Sequence, residues 1–219
     1  MYEKRRIVLA PSRGEILPHY EEEHVEAHAL RLGMWAFIAS EILMFSGLFL
    51  AFVYYRWAYP LTFDNASQLL DIQVATLAAI LLVTGSLLLA DAEISSIKEQ
   101  RRPTAIAIGI TALLGFAVVA VELSSWVAHL QRGIGPGRFY VTNELQAPGV
   151  SLFFSLYYIF GGLHLLHVVG GACVLLWLAS VAWRGTWRRP RFVALQMTAL
   201  FWNLTVIIWL MAYPLFFNS

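Results

Sequence analysis

The sequence predicts an all-α membrane protein with five transmembrane helices. Of its 219 residues, 59% are hydrophobic and only 13% are charged, and the mean hydropathy is +0.65. The charged residues are concentrated in short segments between long apolar runs. This composition excludes an ordinary soluble domain. A net charge of only +1 argues against nucleic acid and against acidic substrates as partners.

Five apolar runs are long enough for membrane helices, because a perpendicular span needs about 20 residues. The chain divides into an N-terminal segment, residues 1–31, and a five-helix membrane domain, residues 32–219. The fourth run is longer than a perpendicular span requires, so its helix is expected to tilt or to project beyond the bilayer. The predicted spans are residues 32–55, 72–90, 104–123, 150–183 and 192–217.

Local signals support the boundaries between these spans. The first span ends in an aromatic and basic stretch around Trp57, as expected at a membrane–water interface. A short loop around Pro60 is expected next. Pro103, after a charged stretch, favours a fresh helix start. Residues 132–148 are rich in Gly and Pro and form the longest predicted loop.

The distribution of basic residues predicts the orientation in the membrane. Twelve Lys and Arg residues flank the spans on the side of the N-terminus, and three lie on the other side. Short loops on the cytoplasmic side carry an excess of Lys and Arg. The N-terminus is therefore predicted to be cytoplasmic and the C-terminus periplasmic or extracellular.

Glu41 is the first candidate for a functional group, because it lies near the middle of the first span. A carboxylate at membrane depth costs a few kcal/mol or more, so it must be protonated, paired or turned toward protein. One interpretation is a carboxylate that exchanges protons or contacts lipid headgroups. The other is a neutral acid that joins helices by hydrogen bonds. The sequence leaves both open.

Polar groups on the other spans favour helix contacts over catalysis. His164 and His167 are three residues apart on the fourth span, and metal ligation there would need ligands from another span, none of which carries a histidine. Interhelical hydrogen bonding is the preferred interpretation. Glu122 lies near the far end of the third span, at the interface or just inside it. Gln196 and Asn203 are seven apart and share a face of the fifth helix.

Two other features were weighed as possible sites. His19, His24 and His28 could approach zinc-ligand spacing in the N-terminal segment, but a solvated surface is favoured. The single cysteine, Cys173, excludes an internal disulfide and a cysteine-built metal cluster. There is no Gly-rich phosphate loop, no nucleophile with a base and no hydrolytic acid pair, so autonomous catalysis is not predicted.

Several segments together resemble subunit III of the haem-copper oxidases. LGMWAFIASEILMFSGLF, which contains Glu41, resembles the signature helix of that family, W-L-F-x-x-S-E-x-x-F-F-x-G-L-F. GLHLLHV is similar to the family's Gly-Phe-His-Gly-Leu-His-Val and aligns its two histidines with His164 and His167. Glu122 falls at a family glutamate, although its neighbours differ. In FWNLTVIIW, Asn203 stands where the family commonly has histidine, and Val206 replaces an aspartate.

The resemblance implies an accessory subunit without a cofactor of its own. Such a subunit docks on subunit I and other oxidase subunits in a hetero-oligomer, which holds the haem and copper. It binds membrane phospholipid and supports the access of protons and oxygen. The complex would reduce oxygen to water and pump protons in the bacterial cytoplasmic membrane.

The resemblance also implies roles for single residues. Glu41 would support proton uptake or contact lipid, and no catalytic residue or metal ligand is expected in the chain. The remaining candidates would contact helices and lipids; they are Glu122, His164, His167 and Asn203.

Two other functions remain open at the level of sequence. One is a subunit-III-like protein associated with nitric oxide reductases, which the neighbouring genes would indicate. The other is an independent small membrane transporter that uses Glu41 together with Gln196 and Asn203. If the chain is such a transporter, the purified chain alone should show substrate-dependent flux.

Overall fold

The computed structural model describes residues 18–184 and 189–217, with their side chains except at 18–24, 26, 27 and 189–191. This part of the chain folds into six α-helices and one short 3-10 helix. In chain order the elements are α1 (Pro18–Ala58), α2 (Pro60–Ser67), α3 (Ile72–Ile97), α4 (Arg101–Gln131), the 3-10 helix (Gly137–Phe139), α5 (Val150–Trp183) and α6 (Arg189–Phe217).

Five of these helices, all but α2, are long and apolar enough to cross a membrane, as the sequence predicts. The shortest of the five, α3, has 26 residues. At about 1.5 Å per residue it exceeds a hydrocarbon core of about 30 Å. The predicted fourth span, residues 150–183, coincides with α5 (Val150–Trp183).

Three helices extend by seven residues or more beyond one end of the apolar runs that predict them. Helix α1 begins at Pro18 instead of residue 32, α3 continues to Ile97 instead of residue 90, and α4 ends at Gln131 instead of residue 123. An apolar run marks only the part of a helix that suits hydrocarbon, whereas the backbone hydrogen bonds continue through charged residues with good helix propensity. As a result, Glu122 lies inside α4 and not near its end.

A short helix replaces the loop expected after the first span. Pro60 occupies the first turn of α2, where its missing N–H costs no hydrogen bond. Arg56 at the end of α1 donates to Asp64 of α2 at 2.6 Å and to the carbonyl of Leu215 in α6 at 3.1 Å. One guanidinium thus joins three helices.

Consecutive long helices run antiparallel; α4 lies between α3 and α5, and α6 contacts α1, α3 and α5. The loop face is the end of the bundle formed by the C-termini of α1, α4 and α6 with residues 59–71 and 132–149. Helix α1 leaves much of its surface uncovered. Trp35, Leu43 and Leu50 are 59%, 75% and 72% exposed, so this surface is available to lipid or to a partner.

The bundle is held at its centre by Trp202, whose side chain is completely buried. Its indole N–H donates to the carbonyl of Leu82 in α3 at 3.3 Å. Gly85 of α3 and Gly115 of α4 make room for the ring, because a Cβ at these positions would lie 2.9 and 3.0 Å from its carbon atoms. Small residues thus allow three helices to meet at one large side chain.

Aromatic rings fill the bundle toward the loop face. Phe52 of α1 lies 5.3 Å from Phe63 of α2 and 4.4 Å from Phe216 of α6, measured between ring centroids. Phe153 of α5 lies 5.1 Å from Phe63. These contacts fix the end of α1 against the rest of the bundle.

Candidate functional site

The structure brings Glu41 and His167 together, although they are far apart in the sequence. Glu41 projects from the middle of α1, and its Oε2 lies 2.9 Å from Nε2 of His167 on α5. Both side chains are largely buried, at 11% and 14% exposure. The acid that the sequence places at membrane depth is therefore turned toward protein and paired.

The hydrogen bond on the other side of the imidazole assigns its tautomer. His167 Nδ1 lies 2.6 Å from the carbonyl of Leu163, one helical turn earlier. A carbonyl oxygen only accepts, so Nδ1 carries a hydrogen and donates it. In the neutral ring Nε2 then has a free lone pair and faces the carboxyl group of Glu41.

The 2.9 Å contact restricts which forms of the two side chains are compatible with each other. A neutral imidazole Nε2 and a carboxylate oxygen both accept, so their contact is favourable only with a carboxylic acid or an imidazolium. Oε2 has no aligned hydrogen-bond donor among the described residues.

The surroundings of the pair are apolar. The ring of Phe45 meets the imidazole edge-on at 5.6 Å, and Phe201 of α6 lies 6.0 Å from it. Phe201 in turn packs against Phe37 at 5.8 Å. These rings exclude bulk water, which strengthens the electrostatic interaction inside the pair.

An open pocket of 570 Å³ lies beside Phe37, on the N-terminal half of α1. The residues that line it are Ala29, Leu30, Gly33, Met34 and Phe37. The lining is apolar, so the pocket suits a hydrocarbon chain or a small apolar molecule and not an ion. Phe37 links this pocket through Phe201 to the imidazole of His167.

His164 takes a different position from His167, although both lie on α5. It is completely buried, and its Nε2 lies 3.1 Å from the carbonyl of Thr205 in α6. Its ring stacks on Trp209 with centroids 4.9 Å apart. His164 therefore bridges α5 and α6 and does not contact Glu41 directly.

Asn203 also lies between two helices. Its side-chain oxygen accepts from the hydroxyl of Ser86 in α3 at 2.7 Å, and Asn203 itself is exposed at the surface of the bundle. The neighbouring Trp209 donates to the carbonyl of Ala75 at 3.2 Å. Side chains of α6 thus form hydrogen bonds with α3 at two positions along the helices. Such bonds are typical of interhelical contacts in lipid.

Glu122 belongs to a second polar cluster. It is 3% exposed on α4, and its neighbours toward the loop face are Trp126 and His129 on the same helix and Tyr157 on α5. The sequence placed His129 beyond the third span, but the structure buries it in the last turn of α4. In the sequence, this cluster is indicated by the spacing of residues 122, 126 and 129, which places the three on one helical face.

No three His, Cys, Asp or Glu side chains among the described residues are arranged to hold a metal ion. His28 is exposed. The side chains of His19 and His24 lie outside the described set, so the arrangement of the three N-terminal histidines is not tested.

Comparison with known proteins finds relatives along most of the chain. Subunit 3 of cytochrome c oxidase from Synechocystis is 26% identical over 187 residues, which cover 84% of this chain and 72% of the relative. Subunit 3 of the cytochrome bo(3) ubiquinol oxidase from Pseudomonas aeruginosa is 20% identical over 202 residues, covering 91% and 89%. The chain is thus similar to subunit 3 of both cytochrome c and quinol oxidases over most of its length.

A third relative is much longer than this chain. The "Heme-copper oxidase subunit I+III" of Aeropyrum pernix is 25% identical over 215 residues, which cover 93% of this chain. The chain spans about a quarter of that relative, 24% of its length. No protein-family model matches the chain.

Proposed function

We propose that the chain is the accessory subunit III of a respiratory haem-copper terminal oxidase, a complex that reduces oxygen to water and pumps protons. The observation that carries the proposal is the similarity to subunit 3 of both cytochrome c and quinol oxidases over most of the chain. The five membrane-crossing helices agree with it. By itself the chain would have no catalytic activity.

The proposed partner is subunit I, together with the other oxidase subunits. The exposed apolar surface of α1, with Trp35, Leu43 and Leu50, supports this role because no described part of the chain covers it. The relative from Aeropyrum pernix, named for subunits I and III together, supports a close association of the two. Haem and copper would be held by the partner subunits.

The proposed site is the Glu41–His167 pair with the apolar pocket beside it. A shared proton in an apolar environment suits a group that tunes proton uptake, since it can accept or release a proton without bulk water. The pocket beside Phe37 suits a phospholipid chain or oxygen on its way to the complex. Glu122, His164 and Asn203 would hold helices and bound lipid.

The proposed location is the bacterial cytoplasmic membrane. The N-terminus would be cytoplasmic, because twelve of the fifteen Lys and Arg residues flank the spans on that side. The loop face would then meet the periplasm.

Mild-detergent affinity purification of the chain tests this function. We expect a haem-copper catalytic subunit to co-purify, identified by mass spectrometry and by its haem spectrum. Recovery of a nitric oxide reductase would replace oxygen with nitric oxide as the substrate of the complex. Recovery of a colourless, stable chain alone would overturn the proposal and favour a transporter, which a flux assay in vesicles would then detect.

A further inference from the structure

Three polar side-chain atoms on one face of α4 are buried. Oε1 of Glu122 and Nδ1 of His129 have no hydrogen-bond partner among the described residues, whereas Nε1 of Trp126, which lies between them, interacts with the hydroxyl of Tyr157 in α5. Four and three residues separate them, so they form a row that runs from Glu122 to the last turn of α4. A buried polar atom that is left unpaired loses its hydrogen bonds to water without compensation, which makes an accidental arrangement unfavourable.

Groups from each neighbouring element face this row. Tyr157 of α5 lies beside it, with its ring 6.4 Å from Trp126 and 6.2 Å from His129. Asp71, the N-cap of α3, interacts electrostatically with Glu122 and His129. The remaining titratable groups near it are Tyr158 of α5 and, from the loop, Arg132 and Glu144.

A polar pocket on the loop face leads to the same row. Its volume is 380 Å³, and its lining includes Gln68, Asp71, Gln73, Ser125, His129 and Arg132. His129 is 3% exposed, so it closes the inner end of the pocket and begins the buried row. A pocket of this size and polarity admits water, which needs only about 10–15 Å³ of accessible volume and two to four polar partners.

We propose that the pocket continues inward as a hydrated proton-exchange site, in which water bridges His129, Trp126 and Glu122. The ligands are water and protons. Glu122 is the terminal proton acceptor, and it exchanges with the aqueous phase at the loop face. The site is separate from the Glu41–His167 pair and does not depend on the identity of the complex.

Cysteine accessibility tests the hydration of the site. In the full chain with Cys173→Ser, single variants Ser125→Cys and Glu122→Cys are treated with a charged, membrane-impermeant thiosulfonate, which reacts with thiols in contact with water. Val118→Cys, one turn deeper and 1% exposed, is the buried control. Val127→Cys, 54% exposed on the outer surface of α4, is the lipid-facing control.

We expect modification of both site variants at least tenfold faster than of either control. If Ser125→Cys reacts and Glu122→Cys does not, the pocket ends at His129 and the proposal is wrong. An unreactive Ser125→Cys would exclude a hydrated pocket altogether.

Infrared spectroscopy on the unmodified protein gives a second test that does not depend on replacing Glu122 by cysteine. The carboxyl band assigned to Glu122 is the one that disappears in Glu122→Gln. We expect this band to shift in D₂O and to titrate with the bulk pH. A Glu122 band that is insensitive to both, or no assignable band at any pH, would overturn the proposal.

Discussion

Glu41 of α1 and His167 of α5 meet at 2.9 Å in the interior of the bundle, and the carbonyl of Leu163 fixes the imidazole so that Nε2 faces the acid. Two groups that would each be unfavourable alone at membrane depth are thereby brought into contact.

Stability should depend on the pairing and not on the charge of Glu41 alone. Glu41→Gln can still donate a hydrogen to Nε2 of His167, so its thermal denaturation midpoint should remain near that of the wild type. Glu41→Leu leaves Nε2 buried without a partner and should lose about 1–3 kcal/mol. Ser40→Leu, an apolar replacement at the exposed neighbouring position, is the matched control. Equal midpoints for the two leucine variants would contradict the pairing.

The rate of oxygen reduction should distinguish a proton-exchanging role of Glu41 from a purely structural role. Glu41→Gln retains a hydrogen bond but cannot take up a proton, so the assembled complex should lose oxygen-reduction rate during prolonged cycling while its subunit composition stays normal. The measurement is sustained oxygen consumption by purified complexes of equal haem content. If both Glu41→Gln and Glu41→Leu assemble and turn over like the wild type, Glu41 has only a structural role.

The contact of Trp202 with two glycines predicts a strong steric effect. Gly85→Ala places a Cβ 2.9 Å from the buried indole and should destabilise the bundle by about 1–3 kcal/mol. Gly47→Ala is the control, because no atom lies within 4 Å of its Cβ position. Its midpoint should be unchanged or higher, since alanine favours a helix. A tolerated Gly85→Ala would show that the indole can move aside.

The loop at residues 132–149 should loosen at acid pH. Glu144 accepts from Arg132 at 3.1 and 2.5 Å, and this hydrogen bonding lowers the pKa of Glu144. Because the folded-state pKa is lowered, the stabilisation is present above the ordinary carboxyl pKa and is lost as the pH falls through the lowered value. Hydrogen–deuterium exchange, corrected for its intrinsic pH dependence, should show this loss of protection.

Charge-matched variants identify the pair as the cause. Arg132→Gln and Glu144→Gln should both remove the pH-dependent part of the protection. Arg138→Gln removes the same charge from a residue that lies over the ring of Phe139, and it should leave the pH dependence intact. If the Glu144→Gln variant still loses protection at acid pH, another group causes the loss.

The fold follows closely from the sequence, because length and apolar composition decide which segments can cross a membrane. The fifth predicted span, 192–217, lies within α6 for this reason. The ends of the helices are less predictable from the sequence, because helical hydrogen bonding is not limited to apolar residues. Helix α4, for example, continues to Gln131. Pro60 lies in the first turn of α2 and not in the expected loop, because proline is favourable at the start of a helix.

The site was only partly predictable. The cost of a buried charge marks Glu41, and the spacing of His164 and His167 places them near one face of α5. Which histidine meets the acid depends on the rotation of α1 against α5, and that rotation is set by packing such as the contact between Phe45 and Phe160, 5.5 Å apart. The sequence does not predict the cluster around His129, because Trp126 and His129 lie beyond residue 123, the predicted end of the third span.

The central claim is that this chain belongs to a haem-copper oxidase without holding its redox centres, and removing the chain from the assembled complex tests it most directly. The chain is released from the purified complex with a stronger detergent, and the haem spectrum and copper content of both fractions are measured. The account predicts that all haem and copper stay with the remaining subunits and that the released chain is colourless and free of copper. Haem or copper that leaves with the chain would contradict it.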